Sequence, residues 1–149
     1  MLFRSIPCFG ICLGMQIMCI EHARNVKGWA DANSGEFDPA SSHKVIDFMP
    51  GQSEAIDKGG TLRLGSSPCV IQSGTTLARC YGSERISERH RHRYEVNNDY
   101  RTVLVDSGLT LAGISPDGNL VEAVERADAQ FFVGVQRSEE HTSELQSRI

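Results

Sequence analysis

No apolar run in this 149-residue sequence approaches the roughly 20 residues that a helix needs to cross a bilayer. The opening stretch MLFRSIPCFG is too short and too interrupted to be a secretory signal. Together these absences make the cytoplasm the expected compartment. Positive charge is not in excess either: the net charge is −4 and the pI near 5.7. A general affinity for nucleic acid or for an anionic membrane is therefore not expected. No Cys-X-X-Cys pair occurs among Cys8, Cys12, Cys19, Cys69 and Cys80. An odd, scattered set of this kind signals neither a zinc site nor a disulfide framework, so no metal is expected. In a reducing compartment most of these thiols should be buried and inert. The composition is not that of a disordered chain: 40% hydrophobic and 23% charged residues suffice for the core of one domain.

Along the chain, the apolar run 6–12 reads as a buried parallel strand. Residues 13–26 then become helical, with Met15, Met18, Cys19 and His22 recurring at three and four residues and Ile17, Ile20 and Ala23 widening the stripe. Residues 27–44 are rich in Asp, Asn, Ser, Gly and Pro and read as an irregular loop. Residues 50–60 carry turn residues and charge, and no internal repeat is present. Short strands are predicted at 45–49, 61–64, 69–72, 86–96, 111–115, 120–125 and 131–136, with a helical turn at 76–81. The last thirteen residues, RSEEHTSELQSRI, have no apolar periodicity and resemble the translation of a sequencing-adapter oligonucleotide. The expected organisation is a domain fragment over 1–136 and a foreign, disordered tail over 137–149.

The strongest local signal is Gly10-Ile11-Cys12-Leu13-Gly14 between a predicted strand and a predicted helix. This is the nucleophile-elbow pattern with Cys in place of Ser. Such a turn is expected to need glycine on both sides, because its backbone is strained and closely packed. It presents the thiol at the carboxyl edge of a sheet and at a helix N-terminus, where the dipole favours the thiolate and backbone N–H groups can stabilise an oxyanion. A buried cysteine in a glycine-flanked strand end is the competing reading.

Residues 6–16, Ile-Pro-Cys-Phe-Gly-Ile-Cys-Leu-Gly-Met-Gln, resemble the nucleophile segment of the class I, triad-type glutamine amidotransferases. Glu21-His22-Ala23-Arg24-Asn25-Val26, Ala32-Asn33-Ser34-Gly35-Glu36-Phe37-Asp38-Pro39 and Gly59-Gly60-Thr61-Leu62-Arg63-Leu64-Gly65 narrow the resemblance to the glutamine-hydrolysing domain of the CTP synthases. The most specific stretch is Glu88-Arg89-His90-Arg91-His92-Arg93-Tyr94-Glu95-Val96-Asn97-Asn98. The resemblance implies an α/β fold, part of a flavodoxin-like class I glutamine amidotransferase domain with additional antiparallel strands. It implies hydrolysis of L-glutamine to glutamate and ammonia, with the ammonia passed to a synthase domain that aminates UTP to CTP using ATP and Mg2+. That parent would be a homo-oligomer, while the fragment itself needs no cofactor. By motif position Cys12 is the nucleophile, Leu13, Gly14, Met15 and Gln16 form the glutamine-binding turn, and Glu36 and Arg93 hold the substrate. Physical chemistry agrees on the last pair: an α-ammonium wants a carboxylate and an α-carboxylate wants an arginine fork.

Strand alternation puts Arg89, Arg91 and Arg93 on one face and His90, His92 and Tyr94 on the other. Read without the resemblance, this is an exposed, solvated charged strand, since a nucleic-acid patch would be isolated on an acidic chain and a His-rich metal site has no accompanying cluster of ligands. The chain departs from the family after Gln136. There the family has a Phe-His-Pro-Glu-Phe run carrying the catalytic base and its orienting acid, whereas Arg137 begins the foreign tail. His141 stands at the wrong offset and receives no catalytic role. The earlier strands of the domain, a Gly-rich oxyanion loop and the synthase domain are expected to be missing. Two other functional readings are an inactive or non-enzymatic glutamine-binding fragment, and the glutaminase part of another amidotransferase.

Overall fold

The structure is a computed structural model that describes residues 6–48 and 63–138. The predicted turn region 50–60, His141 and the tail from 139 onward lie outside the described residues. Two sheets organise the rest. The larger has six strands in the order β1 (Cys8–Ile11), β9 (Phe132–Val135), β8 (Val121–Arg126), β7 (Leu109–Ile114), β4 (Arg63–Ile71), β5 (Arg85–His92). Only β1 and β9 run parallel; every other neighbouring pair in that sheet is antiparallel. The smaller sheet has the order β2 (Asn33–Ser34), β3 (Lys44–Phe48), β6 (Tyr94–Val96).

Helix α1 (Leu13–His22) follows β1 and runs on into a π-helical turn, Ala23–Lys27, closed by Gly28 at φ 89°. It seats Met15 and Met18 against Gly134 of β9, where an added Cβ would lie 3.0 Å from Met15 Cγ and 3.0 Å from Met18 Sδ. Met15, Cys19 and Ala23 have no exposed surface, and with Ile46, Leu104 and Val124 they form the larger core cluster. Ile17 does not join the apolar stripe: half of it is exposed, because it points away from both sheets' shared core. The 6–12 run is likewise not a buried strand. Among the described residues β1 is an edge, with Cys8 exposed and Phe9 at 55% exposure.

Three further elements differ from the sequence reading for tertiary reasons. Residues 61–64 and 69–72, predicted as separate strands, belong from Arg63 onward to the single strand β4, because β5 pairs along it from Arg63↔His92 to Val70↔Arg85. The predicted 86–96 strand is two strands: β5 pairs with β4 in one sheet, β6 pairs with β3 in the other, and Arg93 is the residue at which the chain crosses. Helix α3 (Arg101–Asp106) buries only Leu104, too little to leave an apolar periodicity in the sequence. By contrast α2 (Thr76–Tyr81) has the predicted bounds, since its ends are locally coded. Thr75 Oγ1 accepts from the Ala78 N–H at 3.0 Å, Gly82 closes the helix at φ 64°, and the Glu125 carboxylate accepts from the N–H groups of Thr76 and Leu77.

Gly10 shows how tightly β1 meets α1. A Cβ there would lie 2.7 Å from the Gly14 carbonyl carbon and 2.9 Å from the Met15 nitrogen, both backbone atoms that cannot step aside. Gly10→Ala is therefore expected to cost about 2–3 kcal/mol, read as a lower urea midpoint. A midpoint equal to that of the unsubstituted chain would disprove the close approach.

Candidate active site

Cys12 stands between the end of β1 and the start of α1. Its backbone is at φ 55°, ψ −108°, and it is the only non-glycine residue with positive φ among the described residues. A β-carbon in that region is strained, so surrounding structure must hold it there. Two contacts do so: the Cys12 N–H donates to Val135 O at 2.8 Å, and the Gln16 N–H donates to Cys12 O at 3.3 Å. The half-buried side chain faces β9. Only one of the two flanking glycines is required by packing. Gly10 abuts the Gly14–Met15 backbone, whereas a Cβ at Gly14 would meet nothing within 4 Å. The expectation of close packing on both sides is thus corrected: Gly14 is already inside the helix, and its missing side chain leaves open space beside Cys12.

The predicted glutamine-binding turn divides by burial. Leu13 is 44% exposed, while the Met15 side chain is fully buried in the core, so Met15 can offer a ligand its backbone alone. Gln16 is buried, and its amide works inside the protein: Nε2 donates to Tyr94 O at 3.0 Å and lies 3.4 Å from Gln136 Oε1. Gln136, with no exposed surface, completes a short chain by directing its own Nε2 at Cys12 Sγ, 3.8 Å away. Sequence reading did not single out Gln136; its only signal was its place at the end of the last predicted strand.

Glu36 and Arg93 reach the same edge from two different strands. Glu36 follows β2, whose neighbour Gly35 donates to Ile46 O at 2.8 Å. Arg93 precedes β6, which pairs Tyr94 with Phe48. Because β2 is parallel and β6 antiparallel to β3, both residues sit at the carboxyl end of β3. The Gln16–Tyr94 bond ties that end to the first turns of α1 and so to Cys12. Both Glu36 and Arg93 are exposed, and among the described residues no hydrogen bond or ion pair engages either side chain.

Behind this edge lies a buried ionic cluster that the sequence did not reveal. Arg63 donates to Glu95 Oε1 at 3.2 Å and to Glu122 Oε1 at 2.5 Å. His90 and His92 do alternate with the arginines as expected, but they are buried, which corrects the reading of a merely solvated strand. Their protonation follows from their partners. The Tyr94 carbonyl can only accept, so His92 carries its proton on Nδ1, 3.1 Å away. His92 Nε2 then accepts from His90 Nδ1 at 2.9 Å. That leaves His90 Nε2 3.3 Å from Glu122 Oε2, and no hydrogen bond engages either atom among the described residues. Burial accounts for the rest. It lowers His90 to about 3 and His92 to about 4, with the Arg63 charge adding to both, and it raises Glu95 to about 8 against the pull of Arg63. Glu122 is raised as well, also by burial.

Directly beyond Gln136, at the same carboxyl end of β9, Arg137 and Ser138 lie against β5: Arg137 Nε is 3.4 Å from Glu88 Oε2, and the Ser138 N–H donates to Arg89 O at 2.7 Å. Ser138 is buried.

Residues 1–145 match the family described as Glutamine amidotransferase class-I. Among curated proteins the chain is 53% identical over 139 residues to a CTP synthase of a Synechococcus species, covering 93% of this chain and 26% of that protein. It is 57% identical over 130 residues to a CTP synthase of Rubrobacter xylanophilus, covering 87% of this chain and 23% of the relative. The chain thus spans about a quarter of the length of the curated relatives it matches. Among solved structures it resembles the glutaminase domain of Trypanosoma brucei CTPS with bound acivicin, with a TM-score of 0.83 and 40% identity, covering 91% of this chain and 53% of that one.

Proposed function

This chain belongs to the class I glutamine amidotransferase family, and on that premise we propose that it is the glutaminase part of a CTP synthase. In this reading Cys12 attacks the side-chain amide carbon of L-glutamine, ammonia leaves, and water releases glutamate. The ammonia serves an ATP- and Mg2+-dependent amination of UTP to CTP in a synthase domain of the parent, a cytoplasmic homo-oligomer. The observation that carries the proposal is the strained Cys12 backbone at φ 55° between β1 and α1, the strand-to-helix turn by which a nucleophile elbow presents its side chain. The two CTP synthase relatives, at 53% and 57% identity, favour this parent over other amidotransferases.

The exposed Glu36 and Arg93 flank the carboxyl end of β3 with opposite charges. Glu36 receives the α-ammonium of glutamine and Arg93 its α-carboxylate. Leu13 and Gly14, with the Met15 and Gln16 backbone, line the turn along which the amide reaches Cys12. Among the described residues no helix is long and apolar enough to cross a membrane.

The test uses the intact parent, supplied with UTP, ATP, Mg2+ and glutamine. CTP formation is expected, and Arg93→Lys should raise KM for glutamine about tenfold with a smaller change in kcat, because a bidentate fork becomes a point charge. A parent that makes no CTP overturns the reading of the family branch. An unchanged KM removes Arg93 from the site.

A further inference from the structure

We propose that Gln136 is a positioning residue that sets the ionisation of Cys12, its side-chain amide donating a hydrogen bond to the sulfur and favouring thiolate over thiol. An amide can be placed either way round, so its orientation must be deduced from its partners. Here the deduction starts at a group with no choice. The Tyr94 carbonyl only accepts, so the Gln16 side-chain atom 3.0 Å from it is the NH2. That same NH2 is 3.4 Å from Gln136, so the Gln136 atom facing it is the carbonyl oxygen. The Gln136 NH2 is then the group left facing Cys12 Sγ at 3.8 Å. Turning Gln136 over would set two NH2 groups against each other and aim an oxygen lone pair at the sulfur.

The amide cannot swing away. Gln136 has no exposed surface, and its N–H donates to Glu122 O at 2.8 Å. A neutral donor to a thiolate is charge-assisted and strengthens as the proton leaves. The titratable and charged groups on neighbouring elements are Arg63, His90, which is hydrogen-bonded to the Gln136 backbone, Glu95, Glu122, His92, Arg93 and Arg137. The first turn of α1 contributes no carboxylate. All of these stay in place when Gln136 alone is changed, so a change in the thiol's titration is assigned to the amide.

This inference rests on Cys12 being the nucleophile only for its use in catalysis, and its test contains no glutamine. In the full 149-residue chain, the exposed Cys8 and Cys80 are changed to Ser, and alkylation of Cys12 by iodoacetamide is followed by mass spectrometry from pH 5 to 10. Gln136→Met, close in length but without a donor, is expected to raise the midpoint by about one pH unit, tenfold less thiolate at a given pH below it. Gln16→Met, which frees Gln136 Oε1, should move the midpoint the same way by a smaller amount. A structural role alone would change the rate at every pH and leave the midpoint where it was, and that result overturns the proposal. Should Gln136→Met fail to fold, an unmoved midpoint in Gln16→Met, or Gln136 NH2 resonances in the unsubstituted chain that ignore the Cys12 titration, would overturn it equally. Failure here leaves glutamine hydrolysis by the parent untouched, and failure of the CTP assay leaves this titration intact.

Discussion

Glutamine added to residues 1–149 as they stand is expected to release ammonia at about a millionth of the rate of an enzyme with its full set of catalytic groups. A thiol needs a base to take its proton, and the departing amine needs an acid. Each histidine among the described residues is committed elsewhere. His22 is bonded to Ser107 Oγ at 3.0 Å, His43 to Asp31 Oδ1 at 2.7 Å, and His90 and His92 lie in the buried cluster. Those last two are held neutral by burial, and their nitrogens face each other, Tyr94 O and the carboxyls. At the position where the resembling family has its base, two residues beyond Gln136, this chain has Ser138. Its N–H is spent on Arg89 O, and a neutral hydroxyl is no substitute for an imidazole at pH 7. Ammonia release from glutamine by the chain, measured beside the intact parent, checks this. Turnover within about tenfold of the parent's would sink the expectation, and His141→Ala would then be the first variant to make.

Arg63→Met should lower the stability of the folded chain by about 3–5 kcal/mol, the range for breaking a buried ion pair on one side. Among the described residues Arg63 is the single cation between Glu95 and Glu122, both nearly inaccessible. Without it both buried carboxyls lose their guanidinium donor, and the ionised form of either is left uncompensated beside two neutral imidazoles. The loss should be smallest below pH 4.5, where both carboxyls are protonated even in the unfolded chain. The unsubstituted cluster also predicts the shape of the stability curve. Glu95 titrates near 8 folded and near 4.5 unfolded. Its contribution is full below 4.5 and is lost as pH rises through about 8. His90 and His92 titrate near 3 and 4 folded against 6.5 unfolded, so theirs is full above 6.5 and is lost as pH falls toward 4 and 3. Above pH 6.5 the histidine contribution is complete, and stability declines with Glu95, joined by Glu122, whose carboxyl burial also raises. Urea midpoints followed by circular dichroism from pH 4 to 9 test both points. A curve flat between 6.5 and 8, or one that Glu95→Gln leaves unchanged, would contradict the assignment.

The sequence alone determined those features whose causes are local. Gly10 before Cys12 and the apolar spacing after it are enough to specify strand, tight turn and helix, since the clash that excludes a side chain at Gly10 involves atoms only four and five residues away. Helix α2 was legible to its last residue, because Thr75 caps one end and Gly82 the other. Tertiary structure decided what depends on a distant surface. Arg93 breaks a run that alternates without interruption through residue 94, because two different strands, β4 and β3, compete for its two halves. Arg63, Glu95 and Glu122 look like ordinary surface charges in the sequence, yet they meet across separations of 32 and 59 residues. Gln16 finds Gln136 across 120. Period-two alternation says which side chains share a face, but only the packed sheets decide which face is covered. A polar group on the covered face must then find its partner wherever the fold has brought one.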